Sequence, residues 1–589
     1  MPKYYSLTSK ELDSFRSDVK TFALKNDYRV TDEHFRVLHP LSFKNKYGNP
    51  PAGGFRKVYD AHIITSEFLI DNIERAFEVW TRNPWCKSLS FSEFCEEILP
   101  YRIGNEPLEN WRKAYYDMFQ PLLNSLLETG SSIDAGMILY DEIMNQRWIF
   151  DNTLSTIYLG ANSLLKCRLG GCETMAFYAV FVFRSVGIPA GIDFILQNPD
   201  MLHPQHFWNY MKDQSGRSIP FEIYSTPPAR TPNHINRKKG KVYRICFSEQ
   251  PLSIPNKYSG QEIVPLLNDK YMKDVSSVYF DNTIKIPVYN AKKGRVLYLG
   301  VFNNKKWVPI ACTEIDTDND EAVFHYVEPN IVYRPVYYLE GRFIPFTSTV
   351  IPQENGELRV LDSDREHLIQ MELHRKYPMP EWAEAFKHRS VGGLFQGANM
   401  EDFSDCVTLY TITHEMDMYY HRVSVSNAQK FKYVRYFSAP KSSCNMAELQ
   451  FFSNGKELNG KIIGTEGASR NEHVKTKYAV FDKDPVTYYD AEWPDNAWVG
   501  LEFETPECIT EIEYLFRSDD NGIREGDVYE LFYFSRGGTI ISMGKKTGKK
   551  NGVLVFDNIP SNALYLLHNE TRGREERVFT YENGQQVWW

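Results

Sequence analysis

The sequence has no long hydrophobic run. Its most apolar stretch, Met175–Phe183, is followed directly by Arg184 and is about half as long as the roughly 20 residues that a membrane-spanning helix needs. We therefore interpret this stretch as a buried helix and expect no transmembrane segment. The first residues, Met1–Ser6, also lack the apolar core of a secretory signal, which fits either a cytoplasmic chain or a mature one whose leader was removed.

An excess of positive charge is missing too. The 589 residues contain 67 Lys and Arg against 76 Asp and Glu, which gives a formal net charge of −9. Proteins that bind nucleic acids neutralise phosphates with clustered cations. The basic clusters here are short, as at Arg237–Lys239 and Lys545–Lys550. We predict that nucleic acid is not a partner.

The nine cysteines lack the close pairs of a metal or disulfide motif. None belongs to a Cys-x-x-Cys pair, and the odd number leaves at least one free thiol even if all others were bridged. A disulfide framework or a zinc site is therefore not predicted. Aromatic residues, by contrast, are abundant at 14%, which suits β-sandwiches and surfaces that face carbohydrate.

The length predicts several folded units, and the spacing of apolar residues suggests where they lie. An apolar residue every three or four positions in Ile64–Trp80 and Trp111–Leu127 predicts helices. After about residue 275 this period gives way to strand-like stretches separated by Asn, Asp and Gly turns, interrupted by a charged and predicted helical connector at Asp362–Tyr377. The predicted multidomain α+β architecture comprises a helical N-terminal region (1–130), an α+β core (131–275), an immunoglobulin-like β-sandwich (276–361), the connector with a partial β-domain (362–455) and a further β-domain (456–589).

A cysteine stands directly after two glycines at the predicted start of the apolar helix, in Leu169–Ala176. Glycines let the backbone turn tightly, and the unpaired amides and partial positive charge of a helix start stabilise a thiolate. The same amides can bind the oxyanion of a tetrahedral intermediate. Buried inert cysteines are common, so the case for Cys172 as a nucleophile depends on residues further along the chain.

A histidine and an acid follow at suitable positions. His206 begins a predicted strand on which it can face the helix that bears Cys172, and a hairpin-type turn leads to a strand that brings Glu222 within reach of the imidazole. A carboxylate in that position fixes the histidine tautomer and stabilises the imidazolium. His203 is the rival base and Asp193 the rival acid.

Together these residues resemble the transglutaminase-like superfamily. The shared features are Gly-Gly-Cys before an apolar helix that ends in Gly187–Ala190, a histidine followed by an aromatic residue and a tryptophan, and an acid on the next strand. The resemblance covers about residues 130–270. It implies a papain-like core in which Cys172 attacks, His206 is the base and Glu222 orients the histidine, with no cofactor required. Family members mostly carry Asp at the position of Glu222 and often an aromatic residue at that of Glu173.

The superfamily permits several reactions through an acyl-enzyme: a peptidase, a peptide N-glycanase-type amidase or a transamidase. The implied partners are a protein, peptide or glycoprotein substrate. In thiol hydrolases the side-chain donor to the oxyanion commonly lies upstream of the nucleophile. Asn162, Trp148 and Gln146 are candidates by position, and each of them can equally serve in packing.

The C-terminal region carries a second resemblance, to discoidin-like (coagulation-factor type C) galactose-binding modules, which are jelly rolls. Lys477–Trp498 and the alternating strand Trp498–Phe503 resemble the opening of such a module, and Gly526–Tyr533 fits a later strand. Phe395–Asn399 and Cys444–Leu449 resemble the closing half of another copy, so one and a half or two modules are both open.

This resemblance implies ligands for the β-region. Asp482 and Asp484 are expected to supply oxygens to a structural calcium, although an Asp-x-Asp turn is more often a solvated loop. Tyr489 and Trp493 are expected to stack on sugars, although aromatic residues of a strand are more often core.

The order of the predicted units resembles multidomain proteins of gut Bacteroidetes. That resemblance implies a place in the cell envelope or outside the cell, with a cytoplasmic location still open. The leading hypothesis is a thiol hydrolase that cleaves an amide, peptide or glycopeptide bond and is held on glycan by its β-domains. The alternative is a catalytically inactive scaffold that binds glycan or protein.

Overall fold

The computed structural model describes residues 4–25, 53–128, 130–146, 148–150, 152, 159–200, 205–231, 235–251, 263–264, 267–288, 295–303, 306–416, 418–469, 475–535, 537–549, 552–572 and 575–589. The chain divides into two compact units, residues 1–360 and 361–589, next to the predicted boundary between 361 and 362. Both units contain several β-sheets, so the fold is multidomain and rich in β-strand. Among the described helices, none is both long and apolar enough to cross a membrane.

Most helices lie in the first unit, as the periodicity predicts. Thr65 caps the second helix by accepting a hydrogen bond from the Phe68 amide, and Ser90 with Glu93 forms a capping box at the third. The described helices are α1 (Lys10–Lys25), α2 (Ser66–Arg82), α3 (Phe91–Glu97), α4 (Arg112–Phe119), α5 (Ser132–Asn145), α6 (Ala161–Lys166), α7 (Cys172–Ser185) and, in the second unit, α8 (Glu381–Lys387). Short 3-10 helices occur at Asp60–His62, Pro84–Cys86, Gln120–Leu126, Ser276–Val278, His388–Ser390 and Lys477–Phe481.

The strands of the first unit form a helix-covered sheet, a separate β-region and two short two-stranded pairings. They are β1 (Tyr5–Thr8), β2 (Arg56–Tyr59), β3 (Ile149–Phe150), β4 (Leu169–Gly170), β5 (Ala190–Ile195), β6 (His206–Lys212), β7 (Ser218–Phe221), β8 (Tyr243–Ile245), β9 (Met272–Asp274), β10 (Ile284–Pro287), β11 (Val296–Asn303), β12 (Lys306–Asp316), β13 (Glu321–Phe324), β14 (Arg334–Leu339), β15 (Arg342–Pro345), β16 (Thr349–Pro352) and β17 (Leu358–Leu361). The β-region has a sheet of order β10-β13-β12-β11-β14-β15 and the pair β16-β17.

Helix α7 is the centre of the α+β core. Every residue from Thr174 to Ser185 is buried, which confirms the prediction of a buried helix at Met175–Phe183. The helix packs against β5 and β6 of an antiparallel sheet of order β7-β6-β5-β8-β9. On its other side it contacts α4, where the rings of Trp111 and Phe181 meet edge to face at 4.9 Å. A helix that is apolar all round is stable only when covered on every side, and this packing fixes where Cys172 lies.

The strands of the second unit form two β-domains. They are β18 (Asp364–Leu373), β19 (Leu394–Ala398), β20 (Val407–Thr411), β21 (His421–Ser424), β22 (Lys430–Phe437), β23 (Met446–Ser453), β24 (Lys456–Glu457), β25 (Lys461–Gly464), β26 (Trp498–Cys508), β27 (Glu511–Phe516), β28 (Val528–Phe534), β29 (Ile540–Thr547), β30 (Leu554–Ser561), β31 (Tyr565–Asn569), β32 (Val578–Glu582) and β33 (Gln585–Trp588). Sheets of order β20-β19-β22-β26-β25 and β21-β27-β23-β24 enclose one core, and β29-β28-β31-β32-β33 with the pair β18-β30 enclose another.

The first of these domains, the inserted sandwich (residues 394–516), lies in sequence between β18 and β28 of the second. Its strands pair across residue 455, where the sequence predicts a boundary: β22 pairs with β26, and β23 pairs with β24 and β27. The segments that resemble the closing half of one module and the opening half of another therefore share one sandwich.

The connector Asp362–Tyr377 is not a helix, and that prediction is corrected. Its central part is strand β18, which pairs antiparallel with β30. Met371 and Leu373 are fully buried while Glu372 between them is exposed, a period of two that pairing with β30 satisfies. Because the segment is rich in charged residues, the alternation is not recognisable in the sequence, which predicts a helix instead.

Candidate active site

Cys172 lies at the first position of α7, immediately after a short parallel pairing of β3 with β4. Gly170 has φ +144°, and a Cβ there would lie 2.6 Å from the Thr174 hydroxyl, so glycine is required for both conformation and space. Gly171, the N-cap, has no side chain to cap the first turn of the helix. The amides of that turn have no intrahelical partner, and they surround a half-buried thiol.

His206 is the first residue of β6, and a buried asparagine fixes this strand to the helix. Asn209 donates hydrogen bonds to the carbonyl of Ala176 on α7 at 2.9 Å and to that of Gly191 on β5 at 3.2 Å. Ala176 lies one helical turn beyond Cys172. The strand that bears the histidine is therefore held against the helix that bears the cysteine.

Glu222 follows β7 and contacts the imidazole, as the strand order predicts. The distance between its Oε1 and His206 Nε2 is 2.5 Å, and both side chains are 13% exposed. The carboxylate also accepts a hydrogen bond from the Ser225 hydroxyl at 2.8 Å, and Arg237 Nη2 lies 3.5 Å from Oε1. Two backbone hydrogen bonds between Glu222 and Thr226, of 2.8 and 2.9 Å, close the turn that holds Ser225 in place.

The imidazole of His206 contacts the Glu222 carboxylate and responds to the Cys172 thiol. Because Glu222 binds Nε2, Nδ1 is the ring nitrogen left for the Cys172 thiol, whose interaction with His206 helps to raise the pKa of the imidazole. Burial alone would lower the pKa of His206, but the hydrogen bonds with Cys172 and Glu222 raise it above its usual value. Burial would raise the pKa of Glu222, but the His206 hydrogen bond, together with the charge of Arg237, holds it below its usual value.

The rival acid Asp193 does not join this contact. Asp193 is fully buried and forms an ion pair with Arg244, with nitrogen to oxygen distances of 2.7 and 3.0 Å. It also accepts a hydrogen bond from the Tyr279 hydroxyl at 2.7 Å. These partners make Asp193 part of a structural network beneath the sheet. His203 lies outside the described residues.

The three upstream candidates for the oxyanion donor are engaged elsewhere. Trp148 donates from its indole nitrogen to the Gly170 carbonyl at 2.8 Å. Gln146 donates to Glu142 at 3.2 Å and accepts from the Tyr178 hydroxyl at 2.6 Å. Asn162 donates to the Asn110 carbonyl at 3.3 Å. Trp148 thus supports the turn before the nucleophile.

Three residues that the sequence did not single out complete the site: Asn209, Ser225 and Arg237. Ser225 is three positions after Glu222, and a hydroxyl just past a candidate acid is a local signal that a search could use. Asn209 is a polar residue inside an apolar strand, which is a weaker signal. Arg237 comes near only through the fold.

In the second unit the two predicted sugar-stacking residues differ in exposure. Tyr489 is fully buried, and its hydroxyl donates to the Thr465 carbonyl at 2.8 Å, so its ring belongs to the core and cannot meet a sugar. Its position in the sandwich interior corrects the stacking role. Trp493 is 68% exposed, and its role as a sugar platform stays a prediction.

The predicted calcium ligands lie beside an unpartnered carboxylate. Asp482 accepts hydrogen bonds from the Asp484 amide and the Thr487 hydroxyl, each at 2.9 Å. Nearby Glu448 is 1% exposed, and neither of its carboxylate oxygens accepts a hydrogen bond from a described residue. Burial, followed by the charges of Asp482 and Asp484, raises the pKa of Glu448 to about 8.

No protein-family model matches this chain, and a search of curated proteins returned no similar sequence. Within the described part of the chain, no group of three or more His, Cys, Asp and Glu side chains is arranged to hold a metal ion. The function therefore has to be inferred from the contacts of the residues themselves.

Proposed function

We propose that this protein is a thiol hydrolase of the transglutaminase-like kind that cleaves an amide, peptide or glycopeptide bond through an acyl-enzyme. The observation that carries the proposal is the setting of His206, whose Nε2 meets Glu222 Oε1 at 2.5 Å and whose pKa is raised by the Cys172 thiol as well as by that carboxylate. An intact nucleophile, base and orienting acid in one largely buried site is the arrangement that activates a cysteine.

The reaction begins when His206 takes the proton of the Cys172 thiol. The thiolate sulfur forms a bond to the substrate carbonyl carbon, and the carbonyl oxygen becomes an oxyanion next to the amides at the start of α7. The intermediate collapses, the bond to nitrogen breaks, and His206 gives its proton to the departing amine. Water then attacks the thioester with His206 as base, which releases the acid and restores the thiol.

Glu222 acts on this cycle through the histidine. By binding Nε2 it keeps Nδ1 directed at the thiol, and its negative charge stabilises the imidazolium that exists while the thiolate attacks. Ser225 and Arg237 hold the carboxylate ionised, because each favours its charged form. The transamidase reaction shares the acyl-enzyme and differs only in the acceptor.

The finer fold belongs to the same proposal. A papain-like core is supported by the packing of α7 on an antiparallel sheet whose strand β6 carries the histidine. For the β10–β15 region we propose an immunoglobulin-like domain, and for the inserted sandwich a galactose-binding-like one. Exposed Trp493 supports a role of that sandwich in holding the enzyme on glycan in the cell envelope.

We further propose that the inserted sandwich binds a structural calcium ion. Calcium takes carboxylate, hydroxyl and carbonyl oxygens, and Asp482, Asp484 and Thr487 supply the first two kinds within one turn. Glu448 does not form a group of three metal-binding carboxylates with the two aspartates, but it is buried, unpartnered among the described residues and subject to the charges of both aspartates, so a cation bound at the turn would lower the cost of ionising it.

Alkylation with iodoacetamide tests the enzymatic proposal. Modification of each cysteine is followed by peptide mass spectrometry between pH 5 and 9 in the unchanged protein and in His206→Ala. We expect Cys172 to react faster than exposed Cys406 at pH 6, and the difference to disappear in His206→Ala.

Cys172 reactivity that rises only at the alkaline pH where a free cysteine ionises, and that is the same in both proteins, would contradict the proposal. That outcome favours the alternative of an inactive scaffold. Binding of the full chain to a glycan array, compared with Trp493→Ala, then measures the recognition role by itself.

A further inference from the structure

Gly171 has no conformational reason to be glycine. Its φ of −87° and ψ of −167° describe extended backbone that any residue adopts. The reason is space: a Cβ at this position would lie 2.6 Å from Asn152 Oδ1 and 3.0 Å from Asn152 Cα. The fold thus presses Asn152 against the residue that immediately precedes the nucleophile.

The short parallel pairing of β3 with β4 produces this approach. Phe150 is opposite Gly170 in the register, so Asn152 arrives next to Gly171 two residues later. The Trp148 indole secures the same pairing by donating to the Gly170 carbonyl. Asn152 is exposed, so a ligand can reach its carboxamide.

We propose that Asn152 is the side-chain donor of the oxyanion hole, with the backbone amide of Cys172 as the second donor. The inference rests on the proposed function. As the bond from sulfur to carbon forms, the carbonyl oxygen gains negative charge beside Gly171 and accepts a hydrogen bond from Asn152 Nδ2, which a half-turn of the carboxamide presents in place of Oδ1. No bond to Asn152 forms or breaks.

Two probes separate this role from simple support of the site. Acylation of Cys172 by p-nitrophenyl acetate passes through an oxyanion, whereas alkylation by iodoacetamide needs the thiolate alone. We expect Asn152→Ala to slow single-turnover acylation by about 10²- to 10³-fold, the usual loss for one oxyanion donor, while alkylation changes by less than about twofold. Asn152→Gln, which keeps a donor, should recover part of the rate.

Asn162→Ala is the matched control, since its carboxamide faces the Asn110 carbonyl and both rates should stay unchanged. Equal acylation in Asn152→Ala and the unchanged protein overturns the inference, and so does a parallel loss of both reactions, which indicates a structural role. If the unchanged protein is acylated no faster than Cys172→Ala, the proposed function itself fails, a result distinct from the other two.

Discussion

Glu222 and Glu448 are two largely buried glutamates, one in each compact unit, with opposite surroundings. Glu222 meets His206, Ser225 and Arg237, and its pKa is held below the usual value. Glu448 meets no hydrogen-bond donor among the described residues and faces two aspartates, and its pKa rises to about 8. Burial acts in the same direction on both, so the partners alone decide which carboxylate is charged at neutral pH.

The largest effect on the contrast between the two glutamates is expected from removal of His206, the partner that Glu222 shares with Cys172. We expect His206→Ala to lower kcat/KM by about 10²- to 10⁴-fold, because the base and the charge partner are lost together. The measurement is single-turnover acylation by p-nitrophenyl acetate at several pH values. His367→Ala is the control, since His367 also pairs with a carboxylate, Asp364 at 2.7 Å, but is 78% exposed. A similar loss in both variants would contradict the assignment.

The second prediction concerns Glu448 without and with calcium. Its pKa in the folded state, about 8, lies above the ordinary glutamate value of 4.5, so the folded protein binds the extra proton between these values. The free energy of unfolding therefore falls as pH rises from 4.5 to 8, by a few kcal/mol (about 1.4 kcal/mol per pKa unit). Glu448→Gln should abolish this fall in the presence of a chelator.

At pH 8, Glu448→Gln should have the higher Tm without calcium, and the unchanged protein should have the higher Tm with calcium. Thermal unfolding at pH 5 and pH 8 is compared with and without 5 mM calcium, with Glu457→Gln, a carboxylate paired with Lys483 at 3.2 Å, as the control. The proposal requires calcium to raise the Tm of the unchanged protein at pH 8 by more than that of Glu448→Gln. Equal shifts in both would show that the ion does not act on the charge of Glu448.

The third prediction concerns a neutral side chain at position 222, comparable to the protonated carboxyl of Glu448. Glu222→Gln removes the charge that holds the pKa of His206 up, so the imidazolium is lost at lower pH. We expect the alkaline limb of the kcat/KM profile to move down by about one to two pH units, since a hydrogen bond to a charged group is worth about 1.5–3 kcal/mol. An unmoved limb would show that Glu222 does not tune the histidine.

The smallest expected effect comes from Ser225→Ala, which removes one donor from Glu222. We expect a loss of a few-fold in kcat/KM, since a single hydrogen bond contributes about 1 kcal/mol. The same substitution made in Glu222→Gln should have almost no effect, because the hydroxyl acts only through the carboxylate. Additive losses in the double variant would indicate that Ser225 acts independently.

The sequence could predict those parts of the site that local chemistry determines. Cys172 at a helix start and His206 at a strand start follow from motifs of a few residues, and Glu222 follows from a hairpin. Asn152 could not be found this way, because its approach to Gly171 depends on the pairing of β3 with β4.

The same distinction holds for the fold. The sequence predicts helix α7 because its apolar residues are continuous. It does not predict strand β18, because the partner strand β30 lies far along the chain. The joining of β22 with β26 in one sandwich likewise depends on pairing across a long separation. Glu448 also could not be identified from the sequence, since only its burial next to two aspartates distinguishes it from other acidic residues.

The position of the inserted sandwich has a consequence for how the chain is made. Gln370 on β18 is 187 residues ahead of its contact Asp557 on β30. At roughly 5–20 residues per second, a ribosome needs about 10–40 s to deliver the second strand after the first. Throughout that interval β18 is an unpaired edge, open to aggregation, while the sandwich that follows it can already fold and draw the two ends of its own sequence together.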